Sequence, residues 1–208
     1  MLDVHSVVQR SGAGIAGDLD ALSRLWRQKQ LEFTWLRALM ERYEDFWRVT
    51  EAALRSAAKQ LSIEVTDLQQ EQLMQAYLWP AAFADVGPTL EALKKLPLAI
   101  LSNGSPMMLE SAVRNNGLEF RFAEIISVDR VRTYKPSPRV YALGPETLNV
   151  PAGEILFVSS NSWDAAGAKA FGYQVCWCNR SKAPMDFWDF APDFVVSGLD
   201  QIPEACKV

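Results

Sequence analysis

Apolar residues recur with two different spacings along the chain. Between residues 18 and 79 they recur every three to four positions, as Leu22, Leu25 and Trp26 do, with a proline closing the segment. This spacing is the period of an amphipathic helix, with one apolar stripe facing a core. The spacing between residues 18 and 79 therefore predicts a helical segment of roughly 60 residues.

From residue 86 onward, short apolar runs alternate with helical patterns. The runs that predict strands are 98–101, 124–128, 155–158, 173–177 and 194–196, and the predicted helices are 89–96, 106–116, 138–148 and 164–171. Such alternation favours right-handed crossovers and a parallel sheet covered by helices on both faces. The first run is apolar throughout, which predicts a strand buried on both faces.

These patterns predict an α/β fold with a doubly wound, mostly parallel, Rossmann-like sheet and a helical cap subdomain. The expected divisions are an N-terminal segment without a strand at 1–17, the cap at 18–84 and the core at 85–208. Within the predicted helix 138–148, Gly144 and Pro145 should kink or split the helix, because proline lacks an N–H group.

Composition narrows the range of partners. A net charge of −4 and an isoelectric point near 5.1 argue against nucleic acid or an anionic membrane, since both call for a clustered basic face. No apolar run approaches the roughly 20 residues of a membrane span, and the first residues do not form a signal peptide. A cytoplasmic location is expected, with Cys176, Cys178 and Cys206 as reduced thiols.

Polar turns end three of the predicted strands, at 102–104, 134–136 and 159–161. The carboxyl ends of parallel strands meet at one edge of a sheet, where backbone N–H groups and helix N-termini favour anions. A single turn of this kind could contain these residues only because they favour turns, without forming a binding site. Three in succession indicate a site.

The charged residues near these turns are Lys135, Asp164 and, in the cap, Arg27. Lys135 could hold a carboxylate in place or be a surface lysine, and Arg27 could reach an anion in the cleft or lie on the surface. The third turn offers one carboxylate, Asp164, among hydroxyls and an amide. Mg²⁺ prefers several oxygen ligands close together, so we expect neither a metal nor another cofactor.

Four blocks in order carry a family resemblance. They are Leu-Trp-Arg-Gln-Lys-Gln-Leu-Glu at 25–32, Ile-Leu-Ser-Asn-Gly-Ser-Pro at 100–106, Tyr-Lys-Pro at 134–136, and Leu-Phe-Val-Ser-Ser-Asn-x-Trp-Asp at 156–164. With these blocks the chain resembles the L-2-haloacid dehalogenases of the haloacid dehalogenase superfamily. The last block resembles the dehalogenases rather than their phosphatase relatives, which keep an extra acid there for magnesium.

The resemblance implies a site for the leaving halide and an apolar wall. Arg27 and Asn103 would receive the departing halide. Leu31, Phe46 and Trp163 would form the apolar side of the pocket. From composition alone, aromatic residues such as Phe46 and Trp163 are more often core residues than pocket walls.

The resemblance also implies a charged end of the site. Ser102 and nearby backbone amides would hold the substrate carboxylate. Lys135, helped by Ser159 and Tyr141, would neutralise a nucleophilic carboxylate.

The implied reaction is hydrolytic dehalogenation. A carboxylate displaces halide from C2 of a short (S)-2-haloacid and forms an enzyme ester, which divides one difficult displacement into two easier steps. Water, ordered by Asn161 and Asp164, then attacks the ester and gives the (R)-2-hydroxyacid. The implied partners are therefore the 2-haloacid and halide, and family members commonly pair through cap helices, so a homodimer is expected.

The chain departs from the family pattern at the nucleophile. In the family this is an aspartate that ends the first strand, in an Asp-x-Tyr-Gly-Thr turn ahead of an Asp-Val-His-Ser-Val segment. Asp3-Val4-His5-Ser6-Val7 matches the later segment. We therefore expect a shortened form that lacks this central strand and its aspartate, and we do not assign the nucleophile to Asp3.

Two alternatives stay open from the sequence. A phosphatase of the same superfamily would need magnesium and a second acid two residues after its nucleophile. A non-catalytic binder of small carboxylates would keep Arg27, Ser102 and Lys135 as an anion pocket.

Overall fold

The computed structural model describes residues 1–186 and 188–205, and Cys206 lies outside them. Its helices are α1 (Ser6–Ser11), α2 (Leu19–Leu39), α3 (Phe46–Gln60), α4 (Asp67–Ala76), α5 (Val86–Ala92), α6 (Pro106–Asn115), α7 (Pro138–Tyr141), α8 (Leu143–Leu148), α9 (Ser162–Phe171) and α10 (Ile202–Ala205). Its strands are β1 (Leu2–Asp3), β2 (Ala81–Ala82), β3 (Ala99–Ser102), β4 (Glu124–Ser127), β5 (Leu156–Ser159), β6 (Gln174–Cys178) and β7 (Phe194–Val196). Among these residues, no helix is both long enough and apolar enough to traverse a lipid bilayer.

The cap consists of α2, α3 and α4, as the helical spacing predicts. The Asp18 carboxylate accepts a hydrogen bond from the Ala21 N–H at 2.8 Å and so begins α2. Helix α2 lies against α3, and the fully buried Trp26 donates its indole N–H to the Thr50 carbonyl at 2.8 Å. The apolar stripe of α2 therefore forms the cap core, with a polar anchor for its largest side chain.

The core strands form two parallel sheets. In one, β3 pairs with β4, with Ile100 opposite Ile125. In the other, the order is β5–β6–β7, and Val158 lies opposite Cys176. The fold class is thus confirmed, with parallel strands, flanking helices and a helical cap.

The apolar clusters indicate that the two parallel sheets lie side by side, with β3 and β5 as the facing edges. Ile100 and Leu156 pack in one apolar cluster, whereas Leu101 and Phe157 pack in another. Successive side chains of a strand point to opposite faces, so β3 and β5 present matching faces to the same two layers. Among the described residues, β3 hydrogen-bonds as a strand only to β4, and β5 only to β6.

The prediction that β3 is buried on both faces is wrong. Ala99 is exposed, and the other three residues of the strand are half-buried. The physical reason is that β3 has a single strand partner among the described residues, so the apolar sequence is covered by helices but not by a second neighbouring strand.

The prediction of an N-terminal segment without a strand is also wrong. Leu2 and Asp3 form β1, which pairs antiparallel with β2, with Leu2 opposite Ala82. A helix, α1, follows directly. A two-residue strand is too short to show a period in the sequence, and its partner lies far along the chain.

The predicted break in the helix 138–148 is confirmed. Helices α7 and α8 are separated at Ala142. In a continuous helix the Tyr141 carbonyl would accept from the N–H of residue 145, which proline lacks. The Tyr173 hydroxyl donates to this carbonyl instead, at 2.6 Å, and a Cβ on Gly144 would lie 2.2 Å from that hydroxyl oxygen. The glycine is needed because it leaves room for the replacement donor.

Candidate active site

Lys135 and Asp164 form a buried ion pair at the carboxyl edge of the sheets. The Lys135 side chain comes from the loop before α7, and its Nζ lies 3.1 Å from Asp164 Oδ2. Ser159, at the end of β5, donates its hydroxyl to the same oxygen at 2.8 Å, and Tyr141 donates to Asp164 Oδ1 at 2.9 Å. Lys135 is only 6% exposed and Asp164 5%. Buried charges need this degree of pairing and hydrogen bonding to be tolerated.

Tyr141 is fixed as a hydrogen-bond donor in this cluster. Burial, followed by the negative charge of Asp164, raises the pKa of the Tyr141 phenol, so the phenol keeps its proton at neutral pH. On the other side, the Lys135 ammonium lies 4.7 Å from the centre of the Phe157 ring. A cation over an aromatic face is stabilised by the ring quadrupole. Lys135 therefore has both polar and aromatic neighbours.

The three strand-end turns are joined at this cluster. The Lys135 backbone N–H donates to Asn103 Oδ1 at 3.1 Å, which ties the second turn to the first. The Asn161 N–H donates to Ser159 Oγ at 3.2 Å, and the Gly104 N–H donates to Ser102 Oγ at 3.1 Å. Ser102 and Asn161 thus lie in ordered turns beside the ion pair.

Trp163 connects the core to the cap. Its ring meets the Trp35 ring edge to face, with 5.5 Å between centroids. On α2, Arg27, Leu31 and Trp35 follow one another at intervals of four residues and form one stripe. Leu31 and Arg27 therefore lie along the side of α2 that approaches Trp163.

Phe46 is nearly buried and packs against the loop that carries Lys135. Its ring lies 6.3 Å from the ring of Tyr134, the residue before the lysine. The Tyr134 hydroxyl donates to the Glu44 carbonyl at 2.5 Å. The start of α3 thus fixes the lysine loop from the cap side.

Arg27 belongs to a separate polar group within the cap. Its guanidinium donates to Gln30 Oε1 at 3.3 Å, an oxygen that also accepts from the Tyr77 hydroxyl at 2.8 Å. Gln30 is fully buried and donates to Thr50 Oγ1 at 3.0 Å. Within the described part of the chain Arg27 has no carboxylate in an ion pair, so its positive charge is not neutralised. The hydrogen-bonded groups around Arg27 and around Lys135 are therefore distinct, one within the cap and one at the strand ends.

Sequence reasoning missed the residues that support these groups. Gln30 follows the buried Trp26 by four residues and therefore lies on the apolar stripe of α2. A polar side chain at such a position was the signal that could have indicated a buried hydrogen-bonded group. Gly167 carried no such signal. A Cβ there would lie 2.5 Å from the Tyr141 hydroxyl oxygen and 2.9 Å from Pro136, so only glycine lets α9 pass this close.

Among residues 1–186 and 188–205, no group of three or more histidine, cysteine, aspartate or glutamate side chains could hold a metal ion. The chemistry that the arrangement supports is electrostatic: a buried cation at a strand edge, and in the cap the guanidinium of Arg27, which has no carboxylate partner among the described residues.

Comparison with known proteins gives one consistent family. The model of the haloacid dehalogenase-like hydrolase family matches residues 4–172. The (S)-2-haloacid dehalogenase of Pseudomonas putida is 45% identical over 204 residues, which cover 97% of this chain and 90% of that protein.

Solved structures agree with this result. A dehalogenase crystal structure superimposes with a TM-score of 0.95 at 38% identity, covering 98% of this chain and 91% of that one. The L-2-haloacid dehalogenase from Xanthobacter autotrophicus with chloropropionic acid covalently bound gives a TM-score of 0.91 at 39% identity, covering 100% of this chain and 94% of that one.

Proposed function

Because the chain belongs to the haloacid dehalogenase-like hydrolases, and within them to the (S)-2-haloacid dehalogenases, we propose that its site, together with the nucleophilic aspartate of the family's first strand, converts short (S)-2-haloacids to (R)-2-hydroxyacids and halide. The observation that carries the proposal is the position of Lys135. Its buried ammonium lies where the three polar turns meet, as a site for a reacting carboxylate requires.

In the proposed reaction, an aspartate oxygen attacks C2 of the substrate, and the carbon–halogen bond breaks as the new carbon–oxygen bond forms. Arg27 and Asn103 receive the halide, which the unneutralised charge of Arg27 supports. Ser102 and adjacent amides hold the substrate carboxylate. Leu31, Phe46 and Trp163 exclude water from the first step, because a dry wall strengthens each charge contact.

In the second step, water attacks the carbonyl carbon of the ester, and the bond between that carbon and the ester oxygen breaks. The 2-hydroxyacid leaves with a proton from the water, and the aspartate carboxylate is restored with one oxygen from the water. Asn161 and Asp164 position the water and its neighbours. Asp164 itself is a positioning residue rather than the nucleophile, because its two oxygens already accept hydrogen bonds from Ser159, Lys135 and Tyr141. Covalent catalysis of this kind needs no cofactor.

We further propose that the nucleophilic aspartate ends a strand that pairs with both β3 and β5. The facing edges of these strands support this placement, since each has one strand partner among the described residues. Lys135 lies at the carboxyl ends of the same strands, where the aspartate would meet it.

The test compares the present chain with one extended by a strand ending in Asp-x-Tyr-Gly-Thr. Chloride release from (S)-2-chloropropionate is measured by ion chromatography. We expect release from the extended chain only, and none from a matched extension with Asn in place of Asp. No release from the Asp extension would reject the proposal. Phosphate release from a phosphomonoester that a chelator abolishes would favour the phosphatase, and calorimetric binding without turnover would favour a carboxylate binder.

A homodimer and a cytoplasmic location are part of the same proposal. One face of α2 exposes Leu36, Leu39 and Met40, with Leu39 82% exposed, and a second copy of this apolar face would cover it. Light scattering should give twice the chain mass, and Leu39→Glu should give a monomer. The cytoplasmic location is supported by an odd cysteine count, 3 in 208 residues, which is atypical of secreted disulfide frameworks.

A further inference from the structure

A cleft of about 750 Å³ opens between the cap and the core, beside the loop that carries Lys135. Its volume is in the range of small-molecule sites. The cap contributes two arginines, at the end of α2 and just beyond it, and the core contributes three, two from the segment between β4 and α7 and one from α7 itself. The five arginines that line it are Arg37, Arg42, Arg130, Arg132 and Arg139.

The cleft concentrates positive charge on an acidic protein. Its lining includes one acid, Glu41, and a second, Asp129, accepts a hydrogen bond from the lining residue Tyr43. The five arginines exceed these two acids by three charges, so the cleft has a net charge of +3, whereas the whole chain carries −4. Among the described residues, none of the five guanidinium groups takes part in an ion pair.

The hydrogen bonds of these arginines go to neutral oxygens. Arg37 donates to the Arg42 carbonyl at 3.0 Å, Arg130 to Thr147 Oγ1 at 2.8 Å and Arg139 to the Val131 carbonyl at 3.3 Å. A guanidinium has five N–H donors, so most donors in the cleft are not used in these bonds.

The walls of the cleft are fixed. Tyr43 is held by Asp129 across the junction, and the Arg132 guanidinium lies 5.1 Å from the centre of the Tyr43 ring. Tyr134 fixes the core wall to the Glu44 carbonyl of the cap. None of these contacts pairs a cleft arginine with a carboxylate, so the mutual repulsion of the five like charges is not relieved by an ion pair among the described residues.

From this arrangement we propose that the cleft binds a small anion carrying two or more phosphate groups. Arginine binds phosphate through two parallel N–H···O bonds, and a terminal phosphate group carries roughly −1.5 to −2 at neutral pH. Two such groups match the net charge of +3 in the cleft. A monocarboxylate, such as the proposed substrate, would leave most of the donors unused.

The site would connect ligand binding to the lysine loop. Arg42 belongs to the cap side, whereas Arg132 precedes Lys135 by three residues. An anion that bridges the two arginines holds the cap against the loop that positions Lys135.

The test is isothermal titration of the full chain with tripolyphosphate, at an ionic strength held constant with KCl. We expect saturable one-to-one binding. The double variant Arg42→Gln/Arg132→Gln should weaken it by at least about tenfold, the scale of one charge-assisted contact. The matched control Arg48→Gln/Arg55→Gln removes the same charge from exposed positions on α3, outside the cleft, and should bind as the unmodified chain does.

Circular dichroism and thermal melting without ligand show whether the double variant folds, and Arg42→Gln alone is the second variant if it does not. Binding of tripolyphosphate and ADP alike supports recognition of the phosphate chain. Absence of saturable binding overturns the proposal, as does equal loss in the control variant. Equal affinity for citrate, or binding of ADP without tripolyphosphate, also overturns it, because the recognised group would then not be the phosphate chain.

Discussion

The Lys135 site and the arginine cleft differ in how their positive charges are compensated. Lys135 is buried, and Asp164 with its two hydroxyl donors compensates it. The arginines of the cleft are mostly exposed and have no carboxylate in an ion pair within the described residues. Burial makes an unpaired charge too costly, whereas water and salt screen charges at the surface. The first region is therefore held in a fixed geometry by its own partners, and the second has charges that are not paired and are available to an anion from solution.

The sharpest test of this contrast is Lys135→Met, which removes the cation and keeps an unbranched side chain. We expect a loss of roughly 3–5 kcal/mol in the free energy of unfolding, because Asp164 is left as a buried charge without its counter-ion. Urea unfolding measures the effect.

Its control is the double variant Lys135→Met/Asp164→Leu, which removes both charges. This variant should recover a large part of the loss, since replacing a whole buried ion pair by apolar residues is often close to neutral. A loss below about 1 kcal/mol in the single variant would show that Lys135 is solvated and that the contrast with the cleft is wrong.

A smaller effect is expected for Tyr141→Phe. The variant leaves Asp164 Oδ1 without its hydroxyl donor, which should cost roughly 1–3 kcal/mol near neutral pH. It should also change the alkaline behaviour, because the folded pKa of Tyr141 is raised above the ordinary value of 10.0.

The sign follows from proton linkage. Below pH 10 the phenol is protonated in both states, and its contribution to the free energy of unfolding is fully present. Above pH 10 the unfolded chain loses the phenol proton, whereas the folded chain keeps it. Stability then falls by up to roughly 1.4 kcal/mol per pH unit for this one group, until pH passes the folded pKa. Urea unfolding between pH 9 and pH 11 should show a shallower decline in Tyr141→Phe, whereas an unchanged slope would contradict the burial of the phenol.

The smallest effect is expected in the cleft. Arg42→Gln should change the free energy of unfolding by no more than about 0.5 kcal/mol, as substitutions of exposed residues usually do. The direction should be stabilising at low salt, because one repelling charge is removed, and the gain should vanish in about 1 M salt. A clear destabilisation would mean that the arginine has a structural partner.

The parts of the candidate site that the sequence predicts are those set by strand ends. Small polar residues after apolar runs indicate the turns, and parallel topology then brings the turns together. This is why Lys135, Ser159 and Asp164 could be named from the sequence alone, and the structure places them in contact.

What the sequence does not reveal depends on contacts between distant residues. The five arginines of the cleft span positions 37 to 139, and the sequence alone gives no sign that they are neighbours. Only the fold brings them together. The pairing of β1 with β2 and the hydrogen bonds of Gln30 are hidden for the same reason.

The break between α7 and α8 constrains how this region could be redesigned. Pro145 leaves the Tyr141 carbonyl without its helical donor, Tyr173 supplies one, and Gly144 provides the space. A library that varies these three positions singly would find the native residues strongly preferred at each. Only joint replacement, restoring a backbone donor while dispensing with the phenol, would open an alternative sequence for the segment that carries Tyr141 to Asp164.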